Sequence, residues 1–270
     1  MTVTTLRLKQ PPGLRLDLRG LNPAALAGLS VDEIERLPLP HGNGSLALGE
    51  CFAVSTGDEV DALRLEGDLS RCDRIGWQLS AGRIEAQGSV GDYAGGCMSG
   101  GTVTIHGNAR DLAACEMAGG TLTIEGSIGD FGASTLPGSM DGMRGGLLVV
   151  RGNAGARFGD RMRRGSALVF GDAGDFLASR MVAGTIALGG RCGAHPGYAM
   201  RRGSLVFASV APEVPATFVP AGAEASVFWQ LLARDLQRHG GAFAGLAARG
   251  VRRHLGDLSA AGKGEILIPL

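Results

Sequence analysis

Lysine is almost missing from this sequence. Lys9 and Lys263 are the two present, and arginine supplies the rest of the 26 basic side chains, which 26 acidic ones balance. A net charge of zero gives no general attraction to nucleic acid or to a membrane surface. Aromatic residues are scarce as well, at 5%. The five cysteines, Cys51, Cys72, Cys97, Cys115 and Cys192, form no CxxC pair. That spacing excludes the common zinc and dithiol patterns and suits buried thiols in a reducing cytosol. No long run of purely apolar residues occurs. The polar opening "MTVTTLRLKQPPG" has neither the core of a secretory signal nor a membrane span. Catalytic signatures are lacking too. His41, His106, His195, His239 and His254 show no HxH or HExxH spacing, and no GxSxG, P-loop or dinucleotide fingerprint occurs. The chain is therefore expected to be cytoplasmic, with no catalytic residue and no metal site of its own, and without nucleic-acid or membrane partners.

Glycine is abundant, at 46 residues, and it keeps a period. Written in register, the chain divides into units 83–101, 102–120, 121–146, 147–165, 166–184 and 185–203. Five have 19 residues and the third has 26, a seven-residue insertion. A degenerate unit (63–82) precedes them, and "SLVFASV" (204–210) begins another. Each unit opens with alternating apolar residues such as Val103 and Ile105, the mark of a strand with one buried face. Gly88, Gly107, Gly126, Gly152, Gly171 and Gly190 then share one column, mostly followed by Ser, Asn or Asp, which is turn chemistry. Met98, Met117, Met143, Met162, Met181 and Met200 share another, three residues before the closing glycine.

A unit this short cannot hold an ordinary strand and helix. It fits one coil of a parallel β-helix with about three short strands per turn, the methionines forming an internal ladder of flexible filler. A methionine stripe for soft metal is disfavoured because no cysteine or histidine accompanies it. Hexapeptide helices are set aside because 19 is not a multiple of six, and calcium nonapeptide repeats because GGxGxD is absent. The column Asp92, Asp111, Asp130 and Asp175 reads as polar turns rather than a calcium ladder, since Ala156 and Ala194 interrupt it. Three segments follow: residues 1–62 capping one end, repeats over 63–210, and a loop, amphipathic helix and terminal strand over 211–270. "LRLDLRG" (14–20) and "SLALGECFAV" (45–54) read as strands. Ser30 and Glu33 read as the capping box of a short helix stopping before Pro38. "SVFWQLLARDLQRHG" (226–240) reads as a helix with Val227, Leu231, Leu232 and Leu236 on its apolar face. With "GEILIPL" it is expected to cover the second end of the stack, where bare strand edges would invite aggregation.

The neutral total hides an uneven distribution. Residues 83–130 hold two basic and six acidic side chains, and residues 139–203 hold ten arginines and four aspartates. Two copies of "MRRG" (162–165 and 200–203) contribute Arg163, Arg164, Arg201 and Arg202. Arginine rather than lysine favours bidentate contact with carboxylate or phosphate. These side chains either pair with acidic turns on the outer face or form a docking surface for an acidic partner or polyanion.

"LPGSMDGMRGG" (136–146) followed by "LLVVRGNAGARFGDRMRRG" (147–165) resembles the C subunit of formylmethanofuran dehydrogenase. So do the opening "LRLDLRGLNPAALAGLSVDEIERLPL" (14–39) and "SLALGECFAV". The resemblance to the C-terminal domain of glutamate synthase is more distant. The resemblance implies an all-β fold, a right-handed parallel β-helix of about 19 residues per coil with an α-helical C-terminal flank. The alanine- and arginine-rich composition points to the bacterial branch, the C subunit of the formyltransferase/hydrolase complex. The family then implies a non-catalytic member of a heteromeric complex. Its partners would be an amidohydrolase-like subunit with zinc, a formyltransferase using tetrahydromethanopterin, and a dehydrogenase B-like subunit. The methanofuran-type carrier of this family ends in a polyglutamate tail, for which Arg144, Arg163, Arg164, Arg201 and Arg202 are the expected holders. A glutamate synthase-like spacer and a stand-alone β-helix enzyme are the alternatives.

Overall fold

A computed structural model describes residues 3–57, 61–221 and 227–270. Ser226, where the sequence pattern begins the C-terminal helix, lies outside the described residues, as do 222–225 of the loop before it and residues 1, 2 and 58–60 of the N-terminal segment.

The molecule is mostly β. Strands Ala62–Glu66, Arg83–Gln87, Ser99–Ile105, Gly119–Ile124, Arg144–Val150, Arg164–Val169, Thr185–Leu188 and Ser204–Phe207 lie side by side in sequence order. All these neighbours are parallel. The register reproduces the repeat: Ile84 faces Val103, which faces Leu122, and the column continues through Leu148, Ala167, Ile186 and Leu205. Every member of this column is buried. The seven extra residues of the third unit leave the register of its strand intact, because they loop out before Gly142 rejoins the ladder at the Arg161 carbonyl.

The methionine ladder is internal. All six column methionines are fully buried, and Leu79 continues the column one coil earlier. At the corners the polar residue after each glycine bonds the next coil. The amide of Asn108 donates to Ser89 Oγ, Ser127 to Asn108 Oδ1, Asn153 to Ser127 Oγ, Asp172 to Asn153 Oδ1 and Arg191 to Asp172 Oδ1. The aspartate column does the same. Asp111 Oδ1 accepts from the Asp130 amide, Asp130 Oδ1 from Ala156 and Asp175 Oδ1 from Ala194. The two alanines that interrupt the column thus end each run as amide donors to the preceding aspartate.

The expectation of about three strands per coil needs correction. A second side carries only isolated parallel bridges, such as Ala154 with Ala173 and Ala173 with Cys192. The third side alternates left-handed residues, for example Phe176, Ala178 and Arg180 at φ of 60°, 59° and 54°. Their amides reach the next coil at Ala194 O, the previous coil at Phe158 O, and the next coil again at Tyr198 O. On this side alternate amides bond from coil to coil without strand geometry.

Both flanks extend the sheet. Val3–Leu8 pairs in parallel with Ala62–Glu66 and antiparallel with Phe52–Gly57. Gly264–Pro269 pairs in parallel with Ser204–Phe207 and antiparallel with Val251–Gly256. The capping box of Ser30 and Glu33 starts the helix Val31–Glu35. Two predicted strands are cut short. In "LRLDLRG" only Leu16–Asp17 is a strand, and in "SLALGECFAV" a helical turn, Leu48–Cys51, separates Gly44–Ala47 from Phe52–Gly57.

The helix Val227–Gln237 does not sit on the end of the stack. It lies on the outer face of the sheet, against Val149, Leu168, Ala187 and Val206. The same outward column reads Glu85, Thr104 and Thr123 in the earlier coils. The docking face is the stretch where that column turns apolar. The helix buries Trp229, Ala233 and Leu236, with Leu232 partly covered. Val227 and Leu231, expected to face inward, are 73% and 60% exposed. Trp229 rotates the helix toward its own large ring, since an indole buries more apolar area than either aliphatic side chain.

Candidate functional site

The corners that close each coil build the site. The carbonyl oxygens of Met98, Met117, Met143 and Met162 each accept two amides from the next coil, Met143 from Arg163 and Arg164, and Met162 from Val182 and Ala183. Met181 accepts from Arg201. The residues after the methionines are thereby stacked, with their side chains outside the packed interior. Arg163, Val182 and Arg201 follow one another, one coil apart. Arg164, Ala183 and Arg202 form the neighbouring column. Arg144 pairs with Arg164 rather than Arg163, because the ladder shifts register between Arg144 and Leu147.

Arg144, Arg163, Arg164, Arg201 and Arg202 line a single cleft of about 510 Å³ together with Val182 and Ala183. All five arginines are exposed. The two small residues of the intervening coil form its floor: a long side chain there would fill the gap between the arginine pairs. An adjoining hollow of about 410 Å³ shares Arg163, Val182 and Arg201 and adds Met140, Arg161, Arg180, Ala199 and Ala260.

These cations are not equally free. Arg163 Nε meets Asp141 Oδ1 at 2.5 Å. Arg144 lies 3.6 Å from Glu116 Oε2. Among the described residues Arg164, Arg201 and Arg202 make no side-chain hydrogen bond or ion pair. Arg180 serves the fold instead. It holds the buried Asp160 through two guanidinium nitrogens, and Ser179 Oγ donates to the same carboxylate. The hydrogen bond to Asp160 raises the Arg180 pKa above its usual value, against the opposing effect of burial. Arg151 is likewise structural, donating to the His239 carbonyl and stacking on Phe170.

Chemically the cleft can seat a string of carboxylates or other anions on forked donors. Among the described residues no group of three or more His, Cys, Asp and Glu could hold a metal ion. No helix among them is long and apolar enough to cross a membrane.

A chain in the crystal structure of the formyltransferase/hydrolase complex from Methylorubrum extorquens, solved with methylofuran, superimposes with a TM-score of 0.91. It is 42% identical, and the match covers 98% of this chain and 99% of that one. This chain belongs to the family of C subunits found in that complex and in formylmethanofuran dehydrogenase. The C subunit of the Methylorubrum extorquens complex is 43% identical over 80 residues. The C subunit of the tungsten-containing formylmethanofuran dehydrogenase 2 of Methanothermobacter wolfeii is 34% identical over 87 residues. Each aligned stretch spans 30% of this chain, and they span 30% and 32% of the relatives' own lengths, about a third. No family model matches.

One residue beside the cleft escapes the repeat. The amide of Lys263 donates to the Arg201 carbonyl. With Ser204 paired to Glu265, this places Lys263 one coil beyond Arg202, in the same column. No period foretells it, because the coil that carries it is completed by the C-terminal flank. Asp141 lies within the insertion that the repeat exposes, but its pairing with Arg163 has no signature in sequence.

Proposed function

We propose that this chain is a non-catalytic structural member of a one-carbon enzyme complex. The complex moves a formyl group between tetrahydromethanopterin and a methanofuran-type carrier and releases formate. The carrying observation is the likeness over nearly the whole chain to a component of the formyltransferase/hydrolase complex solved with methylofuran. In this reading the parallel coils over 63–210 are a rigid spine, wound right-handed as parallel crossovers almost always are. Residues 1–62 close one end, and in 211–270 the terminal strands close the other while the helix braces the outer face of the later coils. The partners are an amidohydrolase-like subunit with zinc, a formyltransferase and a dehydrogenase B-like subunit, all cytoplasmic. The cleft of Arg144, Arg163, Arg164, Arg201 and Arg202 holds the polyglutamate tail of the carrier.

Purification from the native cell tests this reading. The chain is expected to elute with those three subunits and with formate-forming activity; a monomer acting on a polysaccharide overturns it. In the purified complex, joint replacement of Arg163 and Arg164 by alanine is expected to reduce retained carrier while all subunits still co-elute. Full carrier occupancy and turnover in that variant would remove the cleft from the account.

A further inference from the structure

The five arginines of the cleft differ in what already touches them, and that difference has a direction. Arg163 is neutralised by Asp141, which reaches it from the insertion in the third coil. Arg144, beside it, faces Glu116. Beyond the floor of Val182 and Ala183 the situation reverses. Arg201 and Arg202 have no acidic partner among the described residues, nor does Arg164 on the near side. The next coil adds Lys263, exposed and also without an ion pair among the described residues. The acidic residue closest in sequence to Lys263 is Glu265, and it is already taken by Arg253 at 3.0 Å and by Ser204 Oγ at 2.6 Å.

We infer that the anion seat is the half of the cleft formed by Arg164, Arg201 and Arg202, that Lys263 is a further binding residue at its far end, and that Asp141 is an internal carboxylate closing the other end at Arg163. This rests on the reading of the cleft as a holder of carboxylates. An anion arriving at Arg163 must first displace Asp141, and so gains only the difference between two similar ion pairs. One arriving at Arg201 or Arg202 displaces water alone. Successive coils stand about 4.8 Å apart. The column of Arg164, Ala183, Arg202 and Lys263 therefore runs over three coil steps, a reach suited to several carboxylates in series and not to a single one.

The test is binding of a fluorescent decaglutamate to the purified, carrier-stripped complex, with co-elution of all subunits confirming assembly of each variant. Arg202→Ala and Arg164→Ala are expected to weaken binding about tenfold each, and Lys263→Ala several-fold. Lys263→Arg is expected to restore it. Arg144→Ala is expected to cost much less than Arg202→Ala. Asp141→Asn is expected to tighten binding about two- to fivefold, the scale of an exposed ion pair, and to lose that effect in an Arg163→Ala background. Equal losses at Arg144 and Arg202, no loss at Lys263, or tightening by Asp141→Asn that persists without Arg163 would overturn the inference while leaving the carboxylate-holding reading in place. A wild-type complex that fails to bind decaglutamate would overturn that reading itself.

Discussion

Gly165 stacks so tightly on Gly146 that a β-carbon on Gly165 would stand 2.7 Å from the Gly146 carbonyl oxygen. Its φ of 89° already lies where side chains are strained. Gly203 repeats the relationship over Gly184 at 2.8 Å. These are the closing glycines of the two "MRRG" segments, whose methionines fill the interior and whose arginines face solvent. Each part of the tetrapeptide answers to a different constraint. Gly165→Ala combines backbone strain with a clash against backbone that side-chain motion cannot relieve. It is expected to destabilise the chain by on the order of 3 kcal/mol. Arg164→Ala, one residue earlier and with its side chain in solvent, is expected to stay within about 0.5 kcal/mol. Urea denaturation of the two variants measures the contrast, and equal midpoints would refute the stacking account.

Trp229 joins the C-terminal flank to the coils. Its ring is fully buried among the outward apolar residues of the later strands, and its indole N–H donates to the Arg249 carbonyl at 2.7 Å. Arg249 in turn donates to the carbonyls of Ala208, Pro269 and Leu270. Trp229→Ala is expected to cost about 3–5 kcal/mol. Because the helix covers only the later coils, amide exchange should quicken in strands Arg144–Val150 through Ser204–Phe207. Strands Arg83–Gln87 and Ser99–Ile105 should keep their protection. Uniform acceleration along the whole stack would show that the helix does not act locally.

The buried thiols give the chain an alkaline limit. Burial, reinforced by Asp73, pushes the Cys72 thiol up to about 12, and burial pushes Cys115 further still. In the unfolded chain both release their protons near the ordinary value of 9.0. Stability is therefore whole below pH 9 and declines between about 9 and 12, as the unfolded state loses protons that the folded state keeps. A Cys72→Ala, Cys115→Ala variant should show a shallower loss of urea midpoint across that window, whatever its stability at pH 7. At pH 8 these two thiols should react with iodoacetamide far more slowly in the folded chain than in urea. Equal rates in both conditions would mean that neither is shielded.

Much of the architecture is legible in the spacing alone. In a stack of parallel coils, residues one period apart in sequence are neighbours in space. The methionine and glycine columns, the strand starts and the common column of the two arginine pairs are therefore read directly. The gap between those pairs is readable too, since Val182 and Ala183 are the short side chains that stand between them. Periodicity misplaces the helix face because it ranks apolar residues alike, whereas the surface that receives them does not. The outward strand column becomes apolar from Val149 onward, and Trp229 is the side chain that covers it.

The sequence by itself determined the coil, its interior and the position of its insertion, because each of these repeats, or interrupts a repeat, and so reports on itself. Tertiary structure alone decided which arginines meet a carboxylate and which, among the described residues, meet none. Asp141 reaches Arg163 by the path of a loop, and Lys263 joins the Arg202 column only because a C-terminal strand pairs with Ser204–Phe207. Contacts between a repeat and a non-repeating segment leave no period to read. They are fixed by where the chain returns.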